Sequence, residues 1–144
     1  MHTYSLEIDD CFAVRQAARH ISQLYERHLS EADVTPTQFN ILRALKDGAS
    51  LTMVELANAM LLDRTTLVRA LQPLLHNRLV ANETSMPGIR RLQLVLTHEG
   101  RTRLEEATIH WRAAQDEFER KFGPSQAEFL RRELFRISRD VSKA

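Results

Sequence analysis

Residues 50–76 read SLTMVELANAMLLDRTTLVRALQPLLH, and this stretch decides the fold. Thr52 and Glu55 have the spacing of a capping box, in which each side chain accepts a backbone amide at the start of a helix. Leu61-Leu62 then forms a tight turn, and Asp63 can cap a second helix near its positive end. The pattern predicts two helices joined by a short turn, which is the helix-turn-helix arrangement.

The second of these helices has two different faces. Leu67, Leu71 and Leu74 recur at helical spacing and are predicted to point inward. The opposite face carries Thr65, Val68, Arg69 and Gln72. Pro73 removes one backbone hydrogen bond, so the helix either bends or ends there. We expect a bent but continuous helix, because the leucine spacing continues across the proline.

A short antiparallel sheet is predicted beside the helix pair. Residues 79–83 and 92–96 have strand composition, and the second segment alternates with a period of two. The connection between them contains the turn signal Met86-Pro87-Gly88 and ends in Arg90-Arg91. Residues 49–51 are expected to add a third strand. A basic hairpin beside a helix-turn-helix is a winged helix; the alternative is a helix pair and a hairpin that merely pack together.

Charge is concentrated in this region. The whole chain has a formal net charge of only +1. Residues 64–91, however, contain five arginines and one acidic residue, Glu83, which gives a local balance of 5 − 1 = +4. A locally basic surface on a winged helix indicates a nucleic-acid partner.

Helices are predicted on both sides of the winged region. One covers residues 11–32, a shorter one runs from Thr35-Pro36 to Asp47-Gly48, a long one covers residues 98–122, and Ser125 with Glu128 gives the last helix a capping box. The expected fold is mainly α with a small antiparallel β wing. We assign residues 33–98 to a winged helix-turn-helix DNA-binding region, and residues 1–32 and 99–144 to a helical dimerisation region.

Dimerisation is expected because the long helices have apolar stripes with no obvious cover. The stripes comprise Val14, Ala17 or Ala18, Ile21, Leu24, Leu104, Ala107, Trp111, Ala114, Phe118, Leu130, Leu134, Ile137 and Val141. A symmetric homodimer would bury them and place two reading helices about one turn of DNA apart. The alternative is a monomer whose first and last helices cover each other.

Four segments together resemble the MarR family of bacterial winged-helix transcription regulators. They are Leu62-Asp63-Arg64-Thr65-Thr66-Leu67-Val68-Arg69, Leu79-Val80, Arg90, and Leu96-Thr97-His98-Glu99-Gly100. The resemblance implies a regulator, most often a repressor, that binds a palindromic double-stranded DNA operator. The family's wing often has an acidic residue two places before the arginine, where this chain has Gly88.

The expected DNA contacts follow from the chemistry of a helix in the major groove. Threonines allow close approach, Arg69 can bind a guanine edge, and Gln72 is a weaker candidate for adenine. Arginines at the wing can enter the minor groove or bind phosphates. Arg64 binds phosphate or pairs with a carboxylate. The predicted DNA-binding residues are Arg64, Thr65, Thr66, Arg69, Gln72, Arg90 and Arg91.

Two switching signals are compatible with the sequence. Cys11 lies near a helix start, where the helix dipole favours a thiolate, and Cys11 with Tyr25 resembles in part the peroxide-sensing OhrR branch of the family. A second tyrosine of that branch is Arg15 here, and the alternative is that Cys11 is simply a buried small side chain. The resemblance also implies a small aromatic acid bound between the winged helix-turn-helix region and the helices of the dimerisation region. Candidate residues for that pocket are Arg15, Arg19, His28 and Trp111.

Other function classes are disfavoured. The chain has no Gly-rich phosphate loop, nucleophile elbow or zinc-protease motif, and its histidines share no metal-ligand spacing, so we expect no enzyme activity, no cofactor and no metal. One cysteine cannot form an intramolecular disulfide. No long apolar run or signal-peptide pattern is present, which predicts a cytoplasmic protein with no membrane partner. An adaptor that uses the fold only for protein contacts is the alternative function.

Overall fold

The computed structural model describes residues 9–84 and 92–141. The elements in chain order are α1 (Asp10–Leu29), a 3-10 turn (Ser30–Ala32), α2 (Pro36–Ala44), β1 (Ser50–Leu51), α3 (Met53–Met60), α4 (Arg64–His76), β2 (Val80–Asn82), β3 (Leu94–Leu96), α5 (His98–Phe122) and α6 (Pro124–Val141). The predicted mainly α fold with a small antiparallel wing sheet is therefore confirmed.

The helix-turn-helix forms through the two predicted caps. Thr52 Oγ1 accepts the Glu55 amide at 3.2 Å, and Glu55 Oε1 accepts the Thr52 amide at 3.1 Å. That backbone hydrogen bond is the main cause of the lowered pKa of Glu55, so the carboxyl stays ionised as the cap requires. The amide of Thr66 donates to Asp63 Oδ1 at 2.7 Å and caps α4. Sequence chemistry at two helix starts thus fixes where both helices begin.

The turn between α3 and α4 depends on a leucine in the left-handed region. Leu61 has φ 52° and ψ 40°, and its amide donates to the Asn58 carbonyl. The amide of Leu62 donates to the Ala57 carbonyl at 3.1 Å, which completes a Schellman motif. The Leu61 side chain is 83% exposed, so packing does little to offset the backbone strain.

The three strands form one antiparallel sheet in the order β1-β3-β2. Ser50 pairs with Val95 across β1 and β3, and Ala81 pairs with Val95 across β2 and β3. The third strand expected around residues 49–51 is thus present. Both longer strands are shorter than predicted, because the regular ladder ends at the pair Asn82 and Leu94.

Several predicted helix boundaries needed correction. The capping box on Ser125 and Glu128 is wrong, because α6 begins at Pro124 and Ser125 lies inside it. Proline has a backbone angle suited to the first helical position and needs no amide partner there. Helix α2 ends at Ala44 rather than at Asp47-Gly48, and α1 gives way to the 3-10 turn after Leu29. Pro73 lies within a continuous α4, as expected.

The described chain divides into two compact units. One is Leu29–His110, which we call the winged unit. The other, which we call the helical unit, combines the chain up to His28 with the chain from Trp111. The first unit contains most of the core, including Phe39, Ile41, Leu42, Leu45, Leu56, Leu67, Leu74, Val80 and Leu94, each almost fully buried. The predicted division at residues 33–98 into DNA-binding and dimerisation regions stays a prediction.

Three helices are long enough to compare with the thickness of a bilayer. Helices α1, α5 and α6 have 20, 25 and 18 residues. Within the described ranges, none of them has the apolar composition that crossing a bilayer needs.

Candidate nucleic-acid interface

Helix α4 presents a polar face to solvent and an apolar face to the core. Leu67, Leu71 and Leu74 are buried, as their spacing predicted. Thr65, Arg69 and Gln72 are exposed, and steps of four and three residues at 3.6 residues per turn align them on the opposite side of the helix. Arg64 and Thr66 are also exposed and lie on the two flanks of this reading face. The reading face is defined here as Arg64, Thr65, Thr66, Arg69 and Gln72.

The electrostatics of the reading face combine two cations with one capping anion. The hydrogen bond from the Thr66 amide is the main cause of the lowered pKa of Asp63, with a smaller contribution from the positive charge of Arg69. The Asp63 carboxylate is therefore held at the first turn of α4 and engaged with the backbone. Hydroxyl, amide and guanidinium donors remain on the outer face, which is the chemistry that reads base edges and phosphates.

The far end of α4 is fixed by a second Schellman motif. Arg78 has φ 57°, and its amide donates to the Leu75 carbonyl at 3.2 Å. The Leu79 amide donates to the Leu74 carbonyl at 2.9 Å. The turn carries the chain directly from α4 into β2, so the reading helix and the wing sheet share one rigid junction.

Thr97 connects that junction to α5. Its hydroxyl donates to the Arg78 carbonyl at 2.7 Å and accepts the Gly100 amide at 2.9 Å. Its own amide donates to the Leu79 carbonyl at 3.1 Å. Gly100 is buried, and a Cβ added there would lie 2.0 Å from the Leu79 oxygen. The start of α5 can therefore approach the end of α4 this closely only with glycine at position 100.

The base of the wing hairpin carries contacts that the sequence analysis missed. Ser50 Oγ donates to Gln93 Oε1 at 2.9 Å, and Asn82 Oδ1 accepts the Gln93 amide at 3.0 Å. These side chains are separated by up to 43 residues in the sequence, and no local motif marks them. The predicted wing contacts Arg90 and Arg91 lie outside the described residues.

The sequence profile of the MarR family matches residues 32–85. The transcriptional regulator MosR of M. tuberculosis is 31% identical, with a TM-score of 0.79 over 94% of this chain and 96% of MosR. The chain belongs to the MarR family.

Further similarities agree with this membership. The HTH-type transcriptional regulator SarZ of Staphylococcus aureus is 29% identical over 91 residues, which are 63% of this MarR-family chain and 62% of SarZ. The match thus spans less than two thirds of SarZ. The repressor CouR, solved on a 23-mer DNA duplex, has a TM-score of 0.85 at 22% identity over 96% of this chain and 98% of CouR, which is a likeness of fold.

In this MarR-family chain, the proposed sensing pair does not meet within one subunit. Cys11 and Tyr25 lie on the same helix, and fourteen residues at 1.5 Å each separate them by about 21 Å. Cys11 is exposed in the single chain, which speaks against the alternative of a side chain buried within one subunit. The Tyr25 hydroxyl donates to Gln115 Oε1 at 2.5 Å. Redox sensing by Cys11 with Tyr25 stays a prediction, and it would require more than a single chain.

The candidate effector residues occur in the helical unit but have different surroundings. Arg15 and Arg19 are exposed, and Trp111 is half-buried. His28 Nε2 lies 3.6 Å from Glu117 Oε2, which also accepts from Arg27 Nη2 at 2.8 Å. The effector pocket therefore stays a prediction, and His28 already has a carboxylate neighbour.

Glu117 is the centre of a charged cluster that the sequence did not reveal. Partial burial alone would raise the pKa of its carboxyl, but Lys121, Arg27 and His28 outweigh it, so the pKa lies below the usual 4.5. Lys121 Nζ lies 3.8 Å from the same oxygen. The lysine is one helical turn from Glu117, whereas the α1 partners come from a distant part of the sequence. Only the fold brings the cluster together.

Two open grooves flank strand β2 in the winged unit. One has a volume of about 440 Å³ and is lined by Leu45, Asp47, Gly48, Ala49, Ala81, Asn82, Glu83, Val95, Leu96 and Arg101. The other, of about 600 Å³, is lined by Leu75, Asn77, Arg78, Val80, Ala81, Asn82, Thr97 and Glu99. Neither groove includes a predicted effector residue. Within the described ranges, no group of three His, Cys, Asp or Glu side chains is arranged to hold a metal ion.

Proposed function

We propose that this MarR-family chain acts as a homodimeric, sequence-specific double-stranded DNA-binding repressor that is released by a small-molecule or oxidant signal. The observation that carries the proposal is the reading face of α4, where threonine and arginine side chains stand in solvent opposite a buried leucine row. MosR, 30% identical to this chain, has been solved in complex with DNA. That likeness supports the same partner for this chain.

Recognition would divide between base edges and phosphates. Arg69 lies on the exposed centre of the reading face, where a guanidinium can bind the two acceptors of guanine in the major groove. Thr65 and Thr66 have short side chains at the first turn of α4, where their hydroxyl donors suit phosphate oxygens. Arg90 and Arg91 would supply wing contacts that add affinity with little sequence preference. Removing Arg90 should therefore weaken binding to all sequences by similar factors.

The proposed homodimer is supported by apolar side chains that one chain leaves in solvent. Phe135 is 69% exposed, Phe129 is 62% exposed and Val14 is 50% exposed. Phe129 and Phe135 lie on α6, and Val14 lies on α1. A second chain packed on these helices would remove such exposed apolar side chains from water. A two-fold dimer would also match a palindromic operator with half-sites about 34 Å apart.

Release by a small aromatic acid is supported by another relative. NadR, 26% identical with a TM-score of 0.69 over 97% of this chain, has been solved in complex with 4-hydroxyphenylacetate. Arg15 and Arg19 are exposed cations in the same unit as Trp111, and guanidinium groups are suited to binding a carboxylate. The alternative signal is a peroxide, which would react with the exposed thiol of Cys11.

The proposal can be tested by gel retardation. Labelled duplexes from the DNA flanking the protein's own gene are titrated with the full chain, with and without excess scrambled duplex. We expect a retarded species of two chains per duplex that resists the scrambled competitor and dissociates on adding a 4-hydroxyphenylacetate-like acid or a peroxide. Binding that scrambled DNA removes completely would contradict the proposal and favour an adaptor.

A further inference from the structure

The wing sheet ends in an unusual exchange of hydrogen-bond partners. Beyond the last regular pair, the Glu83 amide donates to the Gln93 carbonyl at 2.7 Å, as the next step of an antiparallel ladder requires. The reciprocal bond would run from the Gln93 amide to the Glu83 carbonyl. Instead, the Gln93 amide donates to Asn82 Oδ1 at 3.0 Å. A side-chain oxygen therefore takes the place of the next ladder carbonyl.

The same two residues bind further partners. Asn82 Oδ1 also accepts from Thr84 Oγ1 at 2.7 Å, which ties the chain leaving β2. Gln93 Oε1 accepts from Ser50 Oγ at 2.9 Å, which ties the chain entering β3 to strand β1. We call this set, Ser50, Asn82, Thr84 and Gln93, the wing-base clamp. It joins all three strands at the level where the regular ladder stops.

Beyond the last regular pair, Asn82 and Leu94, a single ladder bond remains, from the Glu83 amide to the Gln93 carbonyl. The Asn82 and Gln93 side chains supply the other contacts at the base of the hairpin. The relative direction of the two chain segments therefore depends on these side chains as well as on that one backbone bond. A hairpin tip amplifies small changes of angle at its base, so these contacts can decide where wing side chains lie on a duplex.

We propose that Asn82 and Gln93 are positioning residues for the wing. The wing-base clamp fixes the exit direction of the hairpin and so sets how much the wing contributes to operator affinity, while clamp side chains need not touch DNA. The inference rests on the proposed DNA-binding function. The competing explanation is that the clamp only stabilises the sheet, with no effect specific to the wing.

The first test is a set of operator titrations with the full chain. Gln93→Ala and Asn82→Ala remove the two clamp acceptors, and Gln23→Ala is the matched control on an exposed α1 position. We expect each clamp variant to raise Kd by about 3- to 10-fold, the range of one or two lost hydrogen bonds, and the control to leave it unchanged. In an Arg90→Ala, Arg91→Ala background, the same clamp substitutions should have no further effect. An equal effect in that background, or none in the wild-type background, would overturn the inference.

The second test is amide hydrogen exchange without DNA. Asn82→Ala should speed exchange of the Gln93 amide at least several-fold, whereas Asn82→Asp keeps the acceptor oxygen and should preserve the slow exchange. Unchanged exchange in Asn82→Ala would mean that no clamp forms, which overturns the inference by a route independent of DNA.

The two readouts also separate this inference from the proposed function. If the wild-type chain binds DNA without sequence preference, the proposed function fails and the positioning role fails with it. If the wild-type chain binds its operator specifically but both clamp variants titrate like wild type, only the positioning role fails.

Discussion

Gly100→Ala tests how the reading helix is joined to the rest of the winged unit. The new Cβ would lie 2.0 Å from the Leu79 oxygen and 2.7 Å from Leu96 Cδ1. Because carbon and oxygen atoms normally approach to about 3.3 Å, α5 or the Leu79 backbone must move by about 1.3 Å. The Leu79 oxygen is not free to move, since it accepts the Thr97 amide at 3.1 Å.

The expected change in the free energy of unfolding combines two destabilising effects and one stabilising effect. Overpacking of a buried site costs about 1–3 kcal/mol, and each weakened Thr97 hydrogen bond adds about 1 kcal/mol. Alanine is favoured over glycine inside a helix by about 1 kcal/mol. Two Thr97 bonds lie at this contact, one from its amide to Leu79 and one to its hydroxyl from the Gly100 amide. With both weakened, we expect a net loss of about 2–4 kcal/mol, which corresponds to a fall in Tm of roughly 5–15 °C for a chain of this length.

Urea and thermal unfolding of Gly100→Ala measure this directly. Gly48→Ala is the matched control, because a Cβ at position 48 meets no atom within 4 Å and only the positive φ of 75° opposes it. The control should lose about 1 kcal/mol. If Gly100→Ala is as stable as wild type, or loses no more than the control, then the close approach of α5 to Leu79 is not what the structure indicates.

Three further substitutions probe the other parts of the molecule. Arg69→Ala should weaken operator binding by about 1–3 kcal/mol and relax base preference at one position. Arg112→Ala, which replaces an exposed arginine of the helical unit, should change the affinity only slightly and to a similar extent for all sequences. Equal losses of affinity for the two variants in a competition titration would count against α4 as the reading helix. Leu61→Gly should stabilise the chain by about 0.5–1 kcal/mol, because glycine tolerates φ 52° and little burial is lost; a lower urea midpoint would contradict this. Wild type should have a higher Tm than Glu117→Gln above pH 4.5. This difference in Tm should disappear as pH falls through the lowered folded-state pKa of Glu117. A difference in Tm that grows in acid would refute the charged cluster around Glu117.

The helix-turn-helix could be predicted from the sequence because its determinants are local. The capping side chains of Thr52 and Asp63 accept amides three residues away. The spacing of the leucines in α4 shows which face of that helix is buried. The bounds of α5 also followed from local signals, since its stripe is long and Gly123-Pro124 ends it. The misplaced cap on Ser125 shows how two adjacent helix-start signals can compete, and there the proline determined the boundary.

The wing base and the helical cluster could not be predicted in the same way. Asn82 and Gln93 are eleven residues apart, and Arg27 and Glu117 are ninety apart. Each is an ordinary polar residue in its own segment, and only tertiary packing gives it a partner. The separation of Cys11 and Tyr25 is different, because both lie on one helix that the sequence predicted. Fourteen residues of helix already imply a distance of about 21 Å between them.

Dimethyl sulfate footprinting measures most directly whether α4 enters the major groove, because the reagent modifies guanine N7 in that groove. On the operator duplex, we expect two clusters of protected guanines about one helical turn apart, with protection lost in Arg69→Ala and kept in Arg112→Ala. Specific binding without major-groove protection, or protection unchanged by Arg69→Ala, would contradict it.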